Sequence, residues 1–292
     1  PRTARVVVLL GLLLAAVAAR PAAAEPGYVD NGTNAEGYHQ ITLYDGGTPP
    51  PADTTEGPYK ADIRWTAADG RTRTYRVIVP QGLPSTAPYV VTMGGLYLCL
   101  GNTQATQNWE AHQGFAVVYA QGVGCSFNAG RCCGQAVRDN VDDVAYLQSV
   151  LGYTQSTWPR DVSRTMVAGF SNGAMMAYTF ACLHPELVSS VGVDAGTDVA
   201  ACRPTSPVAV RHVHGGADTV VPYDGTENAS YCSCELPPVP SVLAQWRRAD
   251  RETAAPVEAT VLPAMGHKWA TAADGLDATS TFVDFLLAHP RA

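Results

Sequence analysis

Thr165-Met166-Val167-Ala168-Gly169-Phe170-Ser171-Asn172-Gly173-Ala174-Met175-Met176 is the stretch whose reading decides the fold. An apolar run with β character ends at Gly169 and an alanine-rich run with helical spacing begins at Asn172. Ser171 therefore falls where a strand turns abruptly into a helix. The turn is tight enough for flanking side chains to collide, which gives Gly169 and Gly173 a steric reason within Gly-x-Ser-x-Gly. Ser171 would then stand at the top of a sheet, with the first amides of the following helix aimed at whatever its hydroxyl meets. A glycine-rich turn with an incidental serine would look the same, so the reading depends on what else the chain supplies.

Outward from this stretch, apolar runs alternate with helical ones. Asp62–Thr66 and Arg73–Val79 read as strands around an Asp69-Gly70 hairpin signal, and Tyr89–Met93 as a strand running into Gly94-Gly95. Phe115–Ala120 is a further strand, and Val137–Leu151 is a helix with apolar residues at 141, 144, 147, 150 and 151. Asp139, Asp142 and Asp143 suit the positive end of that helix. Beyond Ser171, Val188–Val193, Val208–His214 and Val257–Leu262 read as strands, and Ser241–Arg248 and Ala278–Ala288 as helices. The pattern predicts an α/β domain, residues 61–292, with a mostly parallel sheet and helices on both faces. Residues 25–60, rich in Gly, Pro, Thr, Asn and Asp, read as an extended lead-in without chemistry of its own.

Composition excludes several classes. The chain has 292 residues, 46% apolar and 15% charged, enough for one sizeable core. Val6–Ala19 is apolar or small, preceded by Arg2 and Arg5 and followed by Arg20-Pro21-Ala22-Ala23-Ala24. This reads as a secretory signal over residues 1–24, because the run is short of the roughly 20 residues a bilayer core requires. Losing those three arginines takes the formal charge from −7 to −10, so a nucleic-acid partner is not expected. Neither is stable membrane insertion, and a monomer is expected. Eight cysteines (99, 125, 132, 133, 182, 202, 232 and 234) point to disulfides in an oxidising compartment. Cys132-Cys133 and Cys232-Ser233-Cys234 do not match the usual zinc-ligand pairs, so no metal and no cofactor is expected. Cys182 lies on the helix after Ser171 and Cys202 ahead of the Val208 strand, so a disulfide between them would tie the two together.

A serine hydroxyl needs a neighbouring base, and the base needs an acid to hold its tautomer. In an α/β-hydrolase fold the chain order is serine, acid, histidine. His39, His112, His184, His212 and His214 come too early for that order, which leaves His267 and His289. His289 ends the terminal helix before a proline, so His267, in a loop after a strand, is the expected base. Asp218 follows the strand before the histidine strand and is favoured as the acid. Asp194, one strand earlier, stays open. An oxyanion would need two backbone amides aimed at one point: Asn172 is expected to supply one, and Gly95 is favoured for the other, with Leu96 as the neighbouring candidate. Neither gap between Ser171, Asp218 and His267 leaves room for a large cap domain, so an open site is expected.

Asp161-x-Ser163-Arg164, GFSNGAMM (169–176), HGGADTVVPY (214–223) and GHKW (266–269) together resemble the secreted polyhydroxybutyrate-depolymerase-like esterases, a group that includes feruloyl and acetylxylan esterases. The resemblance runs from about Arg73 to the last helix. It implies an α/β-hydrolase fold, Ser171 as nucleophile, Asp218 as acid, His267 as base and Gly95 as an oxyanion amide. Two departures stand out: Met93-Gly94 replaces the family's usual His-Gly, and the loop Ser126–Gly134 looks feruloyl-esterase-like rather than tryptophan-rich. No polymer-binding module is expected after the last helix. The expected function is a secreted serine carboxylesterase acting on feruloyl or acetyl esters of plant-type polysaccharides, losing activity on the acidic side of neutrality as His267 protonates. The alternatives are a polyhydroxybutyrate depolymerase, an inactive hydrolase fold used for binding, and a peptidase on the same fold.

Overall fold

Alternation of side chains along the apolar runs sorts the interior into two layers on either face of one sheet. In a computed structural model, residues 27–45, 58–67, 69–200, 202–249 and 255–291 are described. The strands are β1 (Gly27–Thr33), β2 (His39–Tyr44), β3 (Tyr59–Thr66), β4 (Thr72–Val79), β5 (Tyr89–Met93), β6 (Ala116–Ala120), β7 (Thr165–Phe170), β8 (Ser190–Asp194), β9 (Ala209–Gly215), β10 (Thr226–Ala229), β11 (Cys234–Leu236) and β12 (Val257–Leu262). The helices are α1 (Leu100–Gln107), α2 (Gly134–Arg138), α3 (Asp143–Thr157), α4 (Asn172–Leu183), α5 (Val239–Ala249) and α6 (Ala278–Ala288). The main sheet runs β1-β2-β3-β4-β6-β5-β7-β8-β9-β12, and β10 pairs with β11 as a separate hairpin. From β6 to β12 every pairing is parallel, which puts all the strand C-termini at one edge.

Tyr89, Val91 and Met93 of β5 pack with Val118 and Val167 toward Leu147 of α3, Met176 of α4 and Trp246 of α5. Val90, Val117 and Met166 point the other way, toward Leu100 of α1 and Phe282, Phe285 and Leu286 of α6. Strands buried on both faces read as continuous apolar runs, which is why these were legible without a strict polar alternation. Among the described residues no helix is long and apolar enough to cross a membrane. Residues 1–24 lie outside the described residues.

Two expectations change. Part of the segment read as a lead-in builds the sheet edge: β1 and β2 form a hairpin, β2 runs parallel to β3, and Ile41 and Leu43 are buried. Its tight connection is held by the Asn34 side chain, whose Oδ1 accepts the Glu36 and Tyr38 amides at 3.1 and 2.9 Å. Turn-forming residues and an exposed β1 concealed the strands. The helix read as Val137–Leu151 is broken between α2 and α3, where Asn140 takes φ 47°. Asp142 caps α3 by accepting the Ala145 amide at 2.9 Å. Asp143, read as a structural dipole partner, does lie in the first turn of α3 and is buried there. It pairs with the Arg73 guanidinium at 2.5 Å and accepts the Asn128 amide at 2.7 Å, which brings β4, α3 and the 126–134 loop together.

Candidate active site

β7 ends at Phe170, α4 begins at Asn172, and Ser171 between them has φ 52° and ψ −117°. Non-glycine residues seldom hold that region, and the surroundings keep Ser171 there. Its amide donates to the Asp194 carbonyl at 3.0 Å, and its carbonyl accepts from Met175 at 2.9 Å. A Cβ on Gly169 would run into the backbone of Gly173, and one on Gly173 would lie 2.5 Å from the carbonyl oxygens of Met93 and Gly94. Both glycines are therefore required for the strand, the helix and the end of β5 to approach one another.

His267 Nε2 stands 2.9 Å from Ser171 Oγ, and His267 Nδ1 stands 2.7 Å from Asp218 Oδ2. An ionised carboxylate only accepts, so the proton sits on Nδ1 and the bare Nε2 faces the serine hydroxyl. The imidazole lies against the Phe170 ring, centroids 5.0 Å apart. Asp218 is buried, and its Oδ1 accepts the amides of Val220 and Val221 at 2.8 and 2.9 Å. Burial pushes its carboxyl up, but the His267 hydrogen bond and those two amides outweigh it and hold the group below its ordinary value.

Asp194 has a different setting. Its Oδ2 accepts the Ala270 amide at 2.7 Å, and its Oδ1 has no partner among the described residues. Burial pushes this carboxyl well above its ordinary value; the Ala270 amide opposes the shift and the nearby Asp218 charge adds to it. Asp194 thus anchors the chain three residues after His267 while Asp218 contacts the imidazole.

Gly95 backs onto the serine: a Cβ there would meet the Phe170 ring at 2.9 Å and Ser171 Cβ at 3.2 Å. Gly95 opens a tight turn closed by the Leu98 amide on its carbonyl at 3.0 Å, with Tyr97 at φ 68°. The Tyr97 amide donates to the Cys125 carbonyl at 2.8 Å, and the Cys99–Cys125 disulfide joins the same two segments. Tyr97 is 72% exposed, two residues from Gly95. Asn172 contributes more than its position in the first turn of α4. Its Oδ1 accepts the Phe127 amide at 2.7 Å and its Nδ2 donates to the Phe127 carbonyl at 2.9 Å, clasping the 126–134 loop to the serine turn. Nothing in the sequence showed this pairing, because it joins residues 45 apart.

Cys182 of α4 and Cys202, in the segment that leads to β9, are bonded. Cys132–Cys133 and Cys232–Cys234 are also disulfides, and the sulfurs of Cys132, Cys232 and Cys234 lie within 4.8 Å of one another. Sulfurs committed to disulfides offer no thiolate to a metal ion.

No protein-family model matches the chain. It is 28% identical over 163 residues to feruloyl esterase C of Emericella nidulans, covering 52% of this chain and 57% of that one. It is 25% identical over 162 residues to the bifunctional acetylxylan esterase/xylanase XynS20E of Neocallimastix patriciarum, covering 54% of this chain and 23% of that one. The chain spans about half the length of the curated relatives it matches first. Among solved structures, the LpqC poly(3-hydroxybutyrate) depolymerase of Bordetella parapertussis superposes with a TM-score of 0.53 at 16% identity, covering 77% of this chain and 90% of that one. The acetyl xylan esterase of Aspergillus awamori superposes with a TM-score of 0.52 at 16% identity, covering 73% and 93%. Sheet order, the strand-serine-helix turn and these superpositions agree: the chain has the α/β-hydrolase fold, and in sequence it is similar to the esterases named above.

Proposed function

We propose that the protein is a secreted serine carboxylesterase working through an acyl-enzyme. The observation that carries this reading is the unbroken hydrogen-bond chain from Ser171 Oγ through His267 to Asp218. As Ser171 Oγ attacks the ester carbonyl, its proton passes to His267 Nε2, and Asp218 stabilises the resulting imidazolium. The tetrahedral oxyanion is held by the amides of Asn172 and Gly95. His267 then gives the proton to the leaving alcohol, and water repeats the cycle on the acyl group. Four disulfides among the described residues support an oxidising compartment.

The substrate reading is an ester on a plant-type polysaccharide, feruloyl first and acetyl next. Relatives named feruloyl esterase and acetylxylan esterase/xylanase support it, as does the exposed side chain of Tyr97, two residues along the chain from Gly95, an aromatic surface of the kind a planar acyl group stacks on. The depolymerase alternative draws on the LpqC superposition, which shows fold alone. The test is kcat/KM on methyl ferulate, acetylated xylan and short hydroxybutyrate oligomers, with Ser171→Ala as the blank. Methyl ferulate is expected to lead. Preference for the hydroxybutyrate oligomers by about tenfold or more, a gap of about 1.4 kcal/mol in transition-state binding, would favour the depolymerase. A folded wild-type protein inert on all three would remove the esterase reading.

A further inference from the structure

His212 and His214, too early in the chain to serve as the base, are fully buried on one side of β9. Their rings stack 5.2 Å apart within 3° of parallel. His214 Nε2 lies 2.7 Å from the Val221 carbonyl oxygen, which can only accept, so Nε2 carries the proton and Nδ1 is bare. His212 Nε2, 3.0 Å from that bare nitrogen, must be its donor. His212 Nδ1 is then an acceptor and takes the Tyr178 hydroxyl at 2.8 Å. Every hydrogen in the string Tyr178, His212, His214, Val221 points the same way, and no group has a second choice of tautomer. Tyr178 belongs to α4, the helix that starts at Ser171, while Val221 closes the loop that holds Asp218.

The geometry points to His214 as a positioning residue for the acid of the proposed esterase site. Val221 is gripped from both sides: its carbonyl accepts from His214, and its amide donates to Asp218 Oδ1 at 2.9 Å. Releasing the carbonyl loosens Val221 at its Cα, so that the adjoining peptide, whose amide orients the carboxylate, is less firmly held, and with it the carboxylate's hold on His267. The groups facing His214 are Asp218, with Oδ2 3.6 Å from Nε2, the edge of Tyr223 at 5.5 Å, His212 on its own strand, and His267 across the loop. Burial holds His214 below its ordinary value, against the Val221 carbonyl and Asp218, so the string stays neutral and directional.

This inference rests on the esterase reading, and two amide variants separate it from a merely structural role. His214→Gln keeps a donor that reaches the Val221 carbonyl, while His214→Asn keeps an acceptor for His212 but falls short of Val221; both remove the ring. His214→Asn is expected to lower kcat on p-nitrophenyl acetate by about tenfold to a hundredfold, the usual scale for a misplaced group, with KM kept. Its acidic limb of activity should move to lower pH, because a loosened Asp218 stabilises the imidazolium less. His214→Gln is expected to recover most of the rate and restore the limb, although both variants lower Tm. Equal losses in the two variants, or an unchanged pH limb in His214→Asn, would overturn the assignment. The downfield proton resonance of His267 Nδ1–H decides the matter without turnover: it should weaken or shift in His214→Asn and persist in His214→Gln, and persistence in both refutes the role. If the wild type is folded but inert, the esterase reading falls while this resonance still reports on His214.

Discussion

Two carboxylates meet the same edge of the sheet, and their surroundings give them opposite roles. Asp218 accepts from His267 and two amides, whereas Asp194 accepts one amide and is otherwise enclosed. Asp218→Asn is expected to cost about ten-thousand-fold in kcat, because the imidazole would rest in the wrong tautomer, while Asp194→Asn costs far less. The reverse ranking, read from steady-state kinetics, would move the acid to β8. Stability carries a second signature. Asp194 has a raised folded pKa, so between its ordinary value of 3.8 and that raised value the unfolded chain has lost a proton that the folded protein keeps. Stability therefore falls as pH rises above 3.8 toward that raised value, and Asp194→Asn should flatten this decline in Tm. An unchanged slope would mean that Asp194 is ionised in the fold. Tyr97 gives a third expectation: Tyr97→Ala should lower kcat/KM on methyl ferulate by roughly tenfold and leave ethyl acetate nearly unchanged, with Tyr97→Phe close to wild type. Equal effects on both esters would make Tyr97 structural only.

At the scale of elements, glycine marks both the tightest and the loosest places. Gly173→Ala would put a methyl 2.5 Å from two carbonyl oxygens, and the variant is expected to lose several kcal/mol or fail to fold. Gly152 sits exposed in α3 with nothing within 4 Å of a built Cβ, so Gly152→Ala should stabilise by about 0.5–1 kcal/mol in a urea titration. No gain there would show that α3 does not bear on global stability. The same contrast explains what could be read from the chain beforehand. The parallel strands and the serine turn were legible because apolar runs and a steric need for glycine leave direct traces in the residues. The break at 139–142 was hidden because apolar residues kept helical spacing across Asn140. β1 and β2 were hidden by turn-forming residues, and the inward face of β9 by histidines standing where aliphatic residues would ordinarily signal burial. Ser171, Asp218 and His267 could be singled out because proton transfer restricts both residue type and chain order. The Asn172 clasp on Phe127 follows no such rule and is visible only in three dimensions.

Across the whole molecule, the turn of Ser171 and the loop of Asp218 are tied at two levels, through the buried Tyr178–His212–His214 string and through the Cys182–Cys202 disulfide between α4 and the approach to β9. The disulfide closes a separation of 20 residues, for which chain entropy gives about 3 kcal/mol. Replacing both cysteines by serine should therefore lower stability by roughly that amount. Activity at low temperature should largely survive, and a large loss of kcat in the still-folded variant would show that the bridge sets site geometry as well. The central claim is that this arrangement makes Ser171 a nucleophile. The most direct measurement is intact-protein and peptide mass spectrometry after exposure to diethyl p-nitrophenyl phosphate, which transfers a diethylphosphoryl group to an activated serine with release of p-nitrophenol. The account predicts one group per chain, on Ser171, absent from Ser171→Ala and strongly slowed in His267→Ala. A folded wild-type protein that stays unmodified, or is modified at another serine, would contradict it.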